Sequence, residues 1–149
     1  MANPIEGVSF YIRSQLGNLV LDVQGGKTDP GTPVIVYSRN STLSKNQLWT
    51  FDANGYIRSR LGNLVLDVQG GKTDPGTPVI VYSQGSSAAN NQLWTITPEG
   101  YIRSQLGNNL VLDVQGGKTD PGTPVIVYSQ GSSAANNQLW TIESVIYAG

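Results

Sequence analysis

The chain contains no cysteine and no histidine, has a single methionine, and is nearly balanced in charge. Each shortage excludes something. Without Cys there is no disulfide framework. Without His and Cys the commonest zinc ligands are missing, which disfavours metal catalysis, and the usual nucleophile–base pairs are missing too. A net charge of −1 leaves no electrostatic footprint for nucleic acid or an anionic membrane. No apolar run approaches the ~20 residues of a membrane helix. The opening MANPIEGVSF lacks the basic start and apolar stretch of a signal peptide. These shortages lead to the expectation of a soluble protein, cytoplasmic or recombinant, in which Asn40-Ser41-Thr42 matches a glycosylation acceptor pattern but stays unmodified.

What is present is repetition, and it organises everything else. The stretch from Asn63 to Ile96 recurs without a change from Asn109 to Ile142. The copy from Asn18 to Phe51 differs mainly where RNSTLSKN replaces QGSSAANN. Tyr11, Tyr56 and Tyr101 open the copies, and Trp49, Trp94 and Trp140 close them. The extra residue in Asn108-Asn109 accounts for the one difference in spacing. The length of 149 residues suits one domain, 1–149, with repeats at about 8–52, 53–97 and 98–143. Identity between the second and third copies points to recent duplication or to deliberate symmetrisation.

Each copy divides into four short apolar segments rich in Val, Ile, Leu and Tyr, separated by turn residues. In the second copy these are Tyr56–Ser59, Leu64–Val68, Pro78–Ser83 and Gln92–Ile96. Their length and composition predict strands, twelve in all, in an all-β fold. Asp74-Pro75-Gly76-Thr77 has the pattern of a type II turn, with Pro where φ is near −65° and Gly where φ is positive. Arg60-Leu61-Gly62-Asn63 ends in residues that tolerate positive φ. Four strands per repeat also describe a propeller blade, but a closed propeller needs about four blades or more. Three copies therefore favour another threefold architecture, in which residues 8–10 and 145–147 meet to complete a ring.

Alternation places Leu64, Leu66 and Val68 on one face of their strand and Val65 and Asp67 on the other. In the next strand Val79 and Val81 oppose Ile80 and Tyr82. With the aliphatic faces in the core, Asp67 and Tyr82 share the opposite face and come close if the two strands form a hairpin. Gln92 aligns with Trp94 and Ile96, points inward, and must find a partner.

Several motifs imitate chemistry. Gly71-Lys72-Thr73 looks like the end of a phosphate-binding loop, but Leu66 stands where its first Gly belongs, and Asp74-Pro75-Gly76 follows where a helix should start. Each copy has two Asp: Asp22 and Asp29, Asp67 and Asp74, Asp113 and Asp120. A two-carboxylate glycosidase is disfavoured because the second Asp of each pair is explained by the turn it opens. Asp67 with Tyr82 is the better constellation. An aromatic face beside a carboxylate suits a sugar, the ring covering C–H groups and the acid accepting hydroxyl hydrogen bonds. Equally, Asp67 could serve only to satisfy nearby loop amides and Tyr82 only to cover the sheet.

Gln47-Leu48-Trp49, Gln92-Leu93-Trp94 and Gln138-Leu139-Trp140, each with Asn before the Gln and Leu-Asp-Val upstream, resemble the threefold QxW signature of the R-type, ricin B-chain-like lectins. The resemblance implies a β-trefoil of three near-identical four-stranded repeats with pseudo-threefold symmetry. It also implies a non-enzymatic, multivalent lectin with up to three shallow, metal-independent sites for galactose or N-acetylgalactosamine, needing no cofactor. Within it, the hydroxyl-accepting carboxylate falls on Asp22, Asp67 and Asp113, the stacking ring on Tyr37, Tyr82 and Tyr128, and the amide on Asn46, Asn91 and Asn137. Gln47, Gln92 and Gln138 steady the carboxylate, and the three Trp belong to the core. Ile35, Ile80 and Ile126 stand where such pockets often carry Gln, which removes a hydrogen bond worth ~1 kcal/mol. Lys45 and Arg39 make the first pocket differ from the others. Partners are expected to be glycans, bound by a monomer or weak homo-oligomer. Rival readings are a scaffold without ligand, a xylan-type carbohydrate-binding module and, further off, a protein-binding trefoil.

Overall fold

The structure, a computed structural model, describes residues 8–85, 89–131 and 135–145. Among them are twelve strands, four per repeat. The first repeat contributes β1 (Phe10–Ser14), β2 (Leu19–Val23), β3 (Val34–Ser38) and β4 (Trp49–Phe51). The second contributes β5 (Ile57–Ser59), β6 (Leu64–Val68), β7 (Val79–Ser83) and β8 (Trp94–Ile96). The third contributes β9 (Ile102–Ser104), β10 (Leu110–Val114), β11 (Val125–Ser129) and β12 (Trp140–Ser144). The fold is a β-trefoil.

β1, β4, β5, β8, β9 and β12 form a short barrel. β1 pairs with β12 and β4, β4 with β5, and β8 with β9, all antiparallel. Two single bonds close the remaining seams, Trp94 N–H to Gly55 O and Trp140 N–H to Gly100 O, both at 2.9 Å. The two ends of the described chain meet: Val145 N–H donates to Ser9 O at 2.8 Å. Residues 146 and 147, expected to take part, lie outside the described residues.

The hairpins β2–β3, β6–β7 and β10–β11 cap the barrel and interlock around the pseudo-axis. The Asp-Pro-Gly-Thr turn of each one adds to the edge of the next. Gly31 N–H donates to Val81 O, Gly76 N–H to Val127 O and Gly122 N–H to Val36 O, each at 2.7 Å. The return bonds, Val81 N–H to Thr32 O, Val127 N–H to Thr77 O and Val36 N–H to Thr123 O, are 3.0 Å. The turn itself is as the sequence predicts, with Gly76 at φ +95° and Thr77 N–H donating to Asp74 O.

One continuous core fills the barrel and the underside of the cap. It contains Trp49, Trp94 and Trp140 together with Leu66, Val68, Val79, Val81 and their counterparts. Each indole N–H finds an acceptor on its own hairpin, at Leu21 O, Leu66 O and Leu112 O. The opposite side of the β6 strand is not simply solvent-facing: Val65 is buried under Tyr56 and Leu93, and the same small cluster recurs in the other repeats.

Three local expectations are corrected. Gln92 does not lie in a strand; it ends a 3-10 turn over Asn90–Gln92, and β8 begins at Trp94. Tyr56 and Pro78 fall just outside β5 and β7. Positive φ at the first hairpin loop of a repeat occurs only in the third copy, at Gly107, Asn108 and Asn109. There the inserted residue has to be absorbed, and Asn enters the left-handed region at the least cost after Gly.

The seams and the cap use glycine differently. Gly100 has φ +111°, and a Cβ there would lie 3.0 Å from Trp140 O; Gly76 has positive φ but open space around it. Gly76→Ala should therefore cost about 1–2 kcal/mol of conformational strain, and Gly100→Ala more than about 2 kcal/mol because a backbone clash is added. Urea unfolding of the two variants measures the difference; equal losses would mean that the seam tolerates the methyl group.

Candidate functional site

The site is built on the outer face of each capping hairpin. In β6–β7, Asp67 is directly opposite Ile80 and Val65 directly opposite Tyr82, so Asp67 and Tyr82 are diagonal neighbours on one face. The same register holds for Asp22 with Ile35 and Tyr37, and for Asp113 with Ile126 and Tyr128. The two side chains are treated differently by their surroundings. Tyr82 is 47% exposed, whereas Asp67 is 4% exposed and forms the floor of a depression.

Asp67 is held by two amides. Asn91 Nδ2 donates to Oδ1 at 2.9 Å, and Gln92 Nε2 donates to Oδ2 at 2.8 Å. Gln92 is itself fully engaged. Its second N–H reaches Ser83 O at 2.9 Å, and its Oε1 accepts from Gly85 N–H at 3.0 Å. It thereby ties together the carboxylate, the end of β7 and the loop that follows. The first repeat reproduces this through Asn46 and Gln47 on Asp22, at 3.0 and 2.8 Å. The third does so through Asn137 and Gln138 on Asp113, at 3.1 and 2.9 Å. The inward-pointing Gln predicted from alternation thus has its partner, and the loop-amide reading of Asp67 is met in part, by side-chain rather than backbone amides.

A carboxylate offers about four acceptor positions. Two are occupied on Asp67, no further donor reaches it among the described residues, and the residue lines the depression. Hollows of about 350, 490 and 530 Å³ lie over Asp22, Asp67 and Asp113 respectively. All three are lined by the predicted Asp, Ile, Tyr and Asn, and the second and third also by Gln92 and Gln138. In the first, Gln47 is buried behind the carboxylate rather than in the lining.

The linings contain residues that sequence reasoning missed. Gln24, Gln69 and Gln115 begin 3-10 turns directly after the Asp strand and line the hollows. Their place in a thrice-repeated Gln-Gly-Gly was the available signal. Gly122, Gly31 and Gly76 line the first, second and third hollows, and each comes from a different repeat than the carboxylate. No linear pattern announces that contribution, because it arises from the interlocked cap.

The first site differs, but not through the two cations expected to distinguish it, since neither lines the hollow. Arg39 is drawn away, stacking over the Tyr11 ring at 4.1 Å and pairing with Glu143 at 3.3 Å. Lys45 is not in the lining, whereas Asn40 is, at the position of Gly85 and Gly131. Ala89 and Ala135 line the second and third hollows; their counterpart Ser44 does not line the first.

A twelve-stranded trefoil carrying a carboxylate, a half-exposed ring and an amide in each repeat defines a carbohydrate-binding class of protein. The model of the ricin-type β-trefoil lectin domain matches residues 8–140, and the chain belongs to that family. Among solved structures, a designed threefold-symmetric protein, ThreeFoil, is similar at 30% identity and TM-score 0.80, covering 92% of this chain and 99% of that one. The C-half of the earthworm R-type lectin, solved with GalNAc, is 25% identical with TM-score 0.75 over 93% of this chain and 99% of its own. A ricin B-like lectin from Macrolepiota procera, solved with lactose, is 26% identical with TM-score 0.75 over 95% and 99%. Mucoricin from Rhizopus delemar is 40% identical over 47 residues, 32% of each chain, so the match spans about a third of that protein.

Burial pushes the carboxyls of Asp22, Asp67 and Asp113 above the ordinary value of 3.8, against the pull of their Gln and Asn donors. A folded-state value above the unfolded one means that the ionised groups cost stability at neutral pH. That cost is relieved as pH falls through the raised values towards 3.8. The urea midpoint of Asp67→Asn relative to the parent should therefore be more favourable at pH 7 than near pH 4. A difference independent of pH would show that the carboxylate is as well solvated folded as unfolded.

Proposed function

We propose that this protein is a non-enzymatic, multivalent lectin for galactose- or N-acetylgalactosamine-type sugars, with up to three shallow sites that need no metal or cofactor. The observation that carries the reading is the pairing of an anchored carboxylate having two free acceptor positions with an exposed Tyr ring, in an open hollow, three times. Vicinal hydroxyls of a pyranose are bidentate donors, and a fixed carboxylate is a bidentate acceptor. The Tyr face covers the apolar C–H side of the same ring. Among the described residues the Asn91 amide oxygen and the Gln69 side-chain amide have no partner and are available to further hydroxyls. The GalNAc and lactose complexes of the two relatives support this sugar class.

Ile80, where related pockets often carry Gln, replaces a hydrogen bond with an apolar floor and weakens each site. Each depression buries little of a ligand, so single-site affinity is low. Three sites on one chain raise avidity on a dense glycan surface by ~10²-fold or more through effective concentration, without oligomerisation. A ligand-free scaffold is the second reading. It is favoured by the near identity of two repeats and by the likeness to a designed threefold protein.

Asp22→Ala, Asp67→Ala and Asp113→Ala combined should keep a cooperative thermal unfolding transition and lose glycan-array binding. Tyr82→Ala in a protein whose other two sites are disabled should weaken galactose by about tenfold, roughly 1.4 kcal/mol, while Tyr82→Phe should bind like the parent. The parent giving no amide chemical-shift change with millimolar galactose, N-acetylgalactosamine or lactose would favour the scaffold.

A further inference from the structure

A fourth hollow, of about 290 Å³, lies over the loop that joins β6 to β7. It shares Gln69 and Gly70 with the depression over Asp67, and Gly76 with the depression over Asp113. The loop leaves one site, crosses the surface, and ends as the wall of the next. The fourth hollow therefore lies as a furrow between the second and third depressions and shares lining residues with each.

Its lining is chemically suited to a saccharide. Lys72 and Asp74 both line it, form no ion pair with each other, and have side-chain polar atoms with no hydrogen-bond partner among the described residues. They present one strong donor and one strong acceptor, with no net charge between them. The stem of Lys72 lies against Gly70, within 3.7 Å of where a Cβ would be, which sets the lysine at the junction of the two hollows. Pro75 and Pro78 contribute apolar surface to the same furrow.

We infer that this furrow is a binding subsite for the inner residues of a neutral oligosaccharide whose terminal sugar occupies the depression over Asp67. It rests on the lectin reading above. A hydroxylated chain supplies acceptors for Lys72 Nζ and donors for the Asp74 carboxylate, and the proline rings meet pyranose C–H faces. A glycan with a carboxylate or sulfate on its inner residues gains from Lys72 but is repelled by Asp74, so the furrow selects uncharged chains. The lysine acts on chain length alone, because it does not line the depression that holds the terminal sugar.

The test uses the full chain carrying Asp22→Ala, so that only the second and third sites report. Galactose and a linear, neutral, galactose-ended tetrasaccharide are titrated by calorimetry and by amide chemical shifts. The tetrasaccharide should bind about tenfold more tightly than galactose and shift the amides of Lys72 and Asp74, which line neither terminal-sugar depression and which galactose leaves in place. Lys72→Ala should remove most of that gain and leave galactose affinity unchanged. Equal affinity for both ligands, or a Lys72→Ala variant that keeps the full gain, would overturn the subsite while leaving the terminal-sugar site standing. Preference for a sulfated analogue of the same length would overturn the selection of neutral chains. Failure of galactose and tetrasaccharide alike would remove the lectin reading and the subsite together.

Discussion

A single carboxamide in each repeat holds the site and the fold to one geometry. Gln92 uses both N–H groups and its oxygen, to Asp67, Ser83 and the amide of Gly85. The bond to Asp67 is buried and the other two are partly so, and an unmet buried polar atom costs about 1–3 kcal/mol. None can be released without stranding another. The carboxylate thus has one permitted orientation before any ligand arrives, and orientation that is already fixed in the free protein is not lost again on binding. The adjacent Trp94 carries the same segment into the core and bonds Leu66 O, one residue before Asp67. The orientation of the carboxylate and the packing of the barrel are therefore set by two side chains two positions apart.

The cap has a different logic. Each Asp-Pro-Gly-Thr turn completes the edge of the neighbouring hairpin, and in doing so covers a strand edge that would otherwise be open to pairing with another chain. The interlock also makes every depression composite: its floor belongs to one repeat and one wall to another. An isolated repeat would have the carboxylate, ring and amide without the wall, and its apolar hairpin underside would have nothing to pack against. Repeat architectures of this kind are stable as a closed set.

Symmetry is kept in the machinery and relaxed around it. The Asp–Gln–Asn arrangement is the same in all three repeats to within about 0.2 Å. The loops around it are not: the first depression is narrowed where Asn40 replaces a glycine, and Arg39 is spent on Tyr11 and Glu143. The buried carboxylates themselves work against stability at neutral pH, since desolvation is the larger influence on them.

Alternation along the sequence was sufficient to place Leu66, Val68, Val79 and Val81 in the core and Asp67 with Tyr82 on the other face, because the strand period is two residues whatever surrounds it. The regular recurrence of Gln-x-Trp and Leu-Asp-Val was sufficient to identify the trefoil and to name the Asp, Tyr, Asn and Gln that come together. Three things needed the third dimension. Gln92 leaves the strand pattern for a 3-10 turn because its partner Asp67 is 25 residues away in the chain. The Asn108-Asn109 loop turns left-handed, whereas the shorter loops at Gly17 and Gly62 do not. Gly31, Gly76 and Gly122 become walls of a site in another repeat. Sequence patterns report on neighbours a few residues apart, and these features depend on contacts between segments that only the closed threefold arrangement brings together.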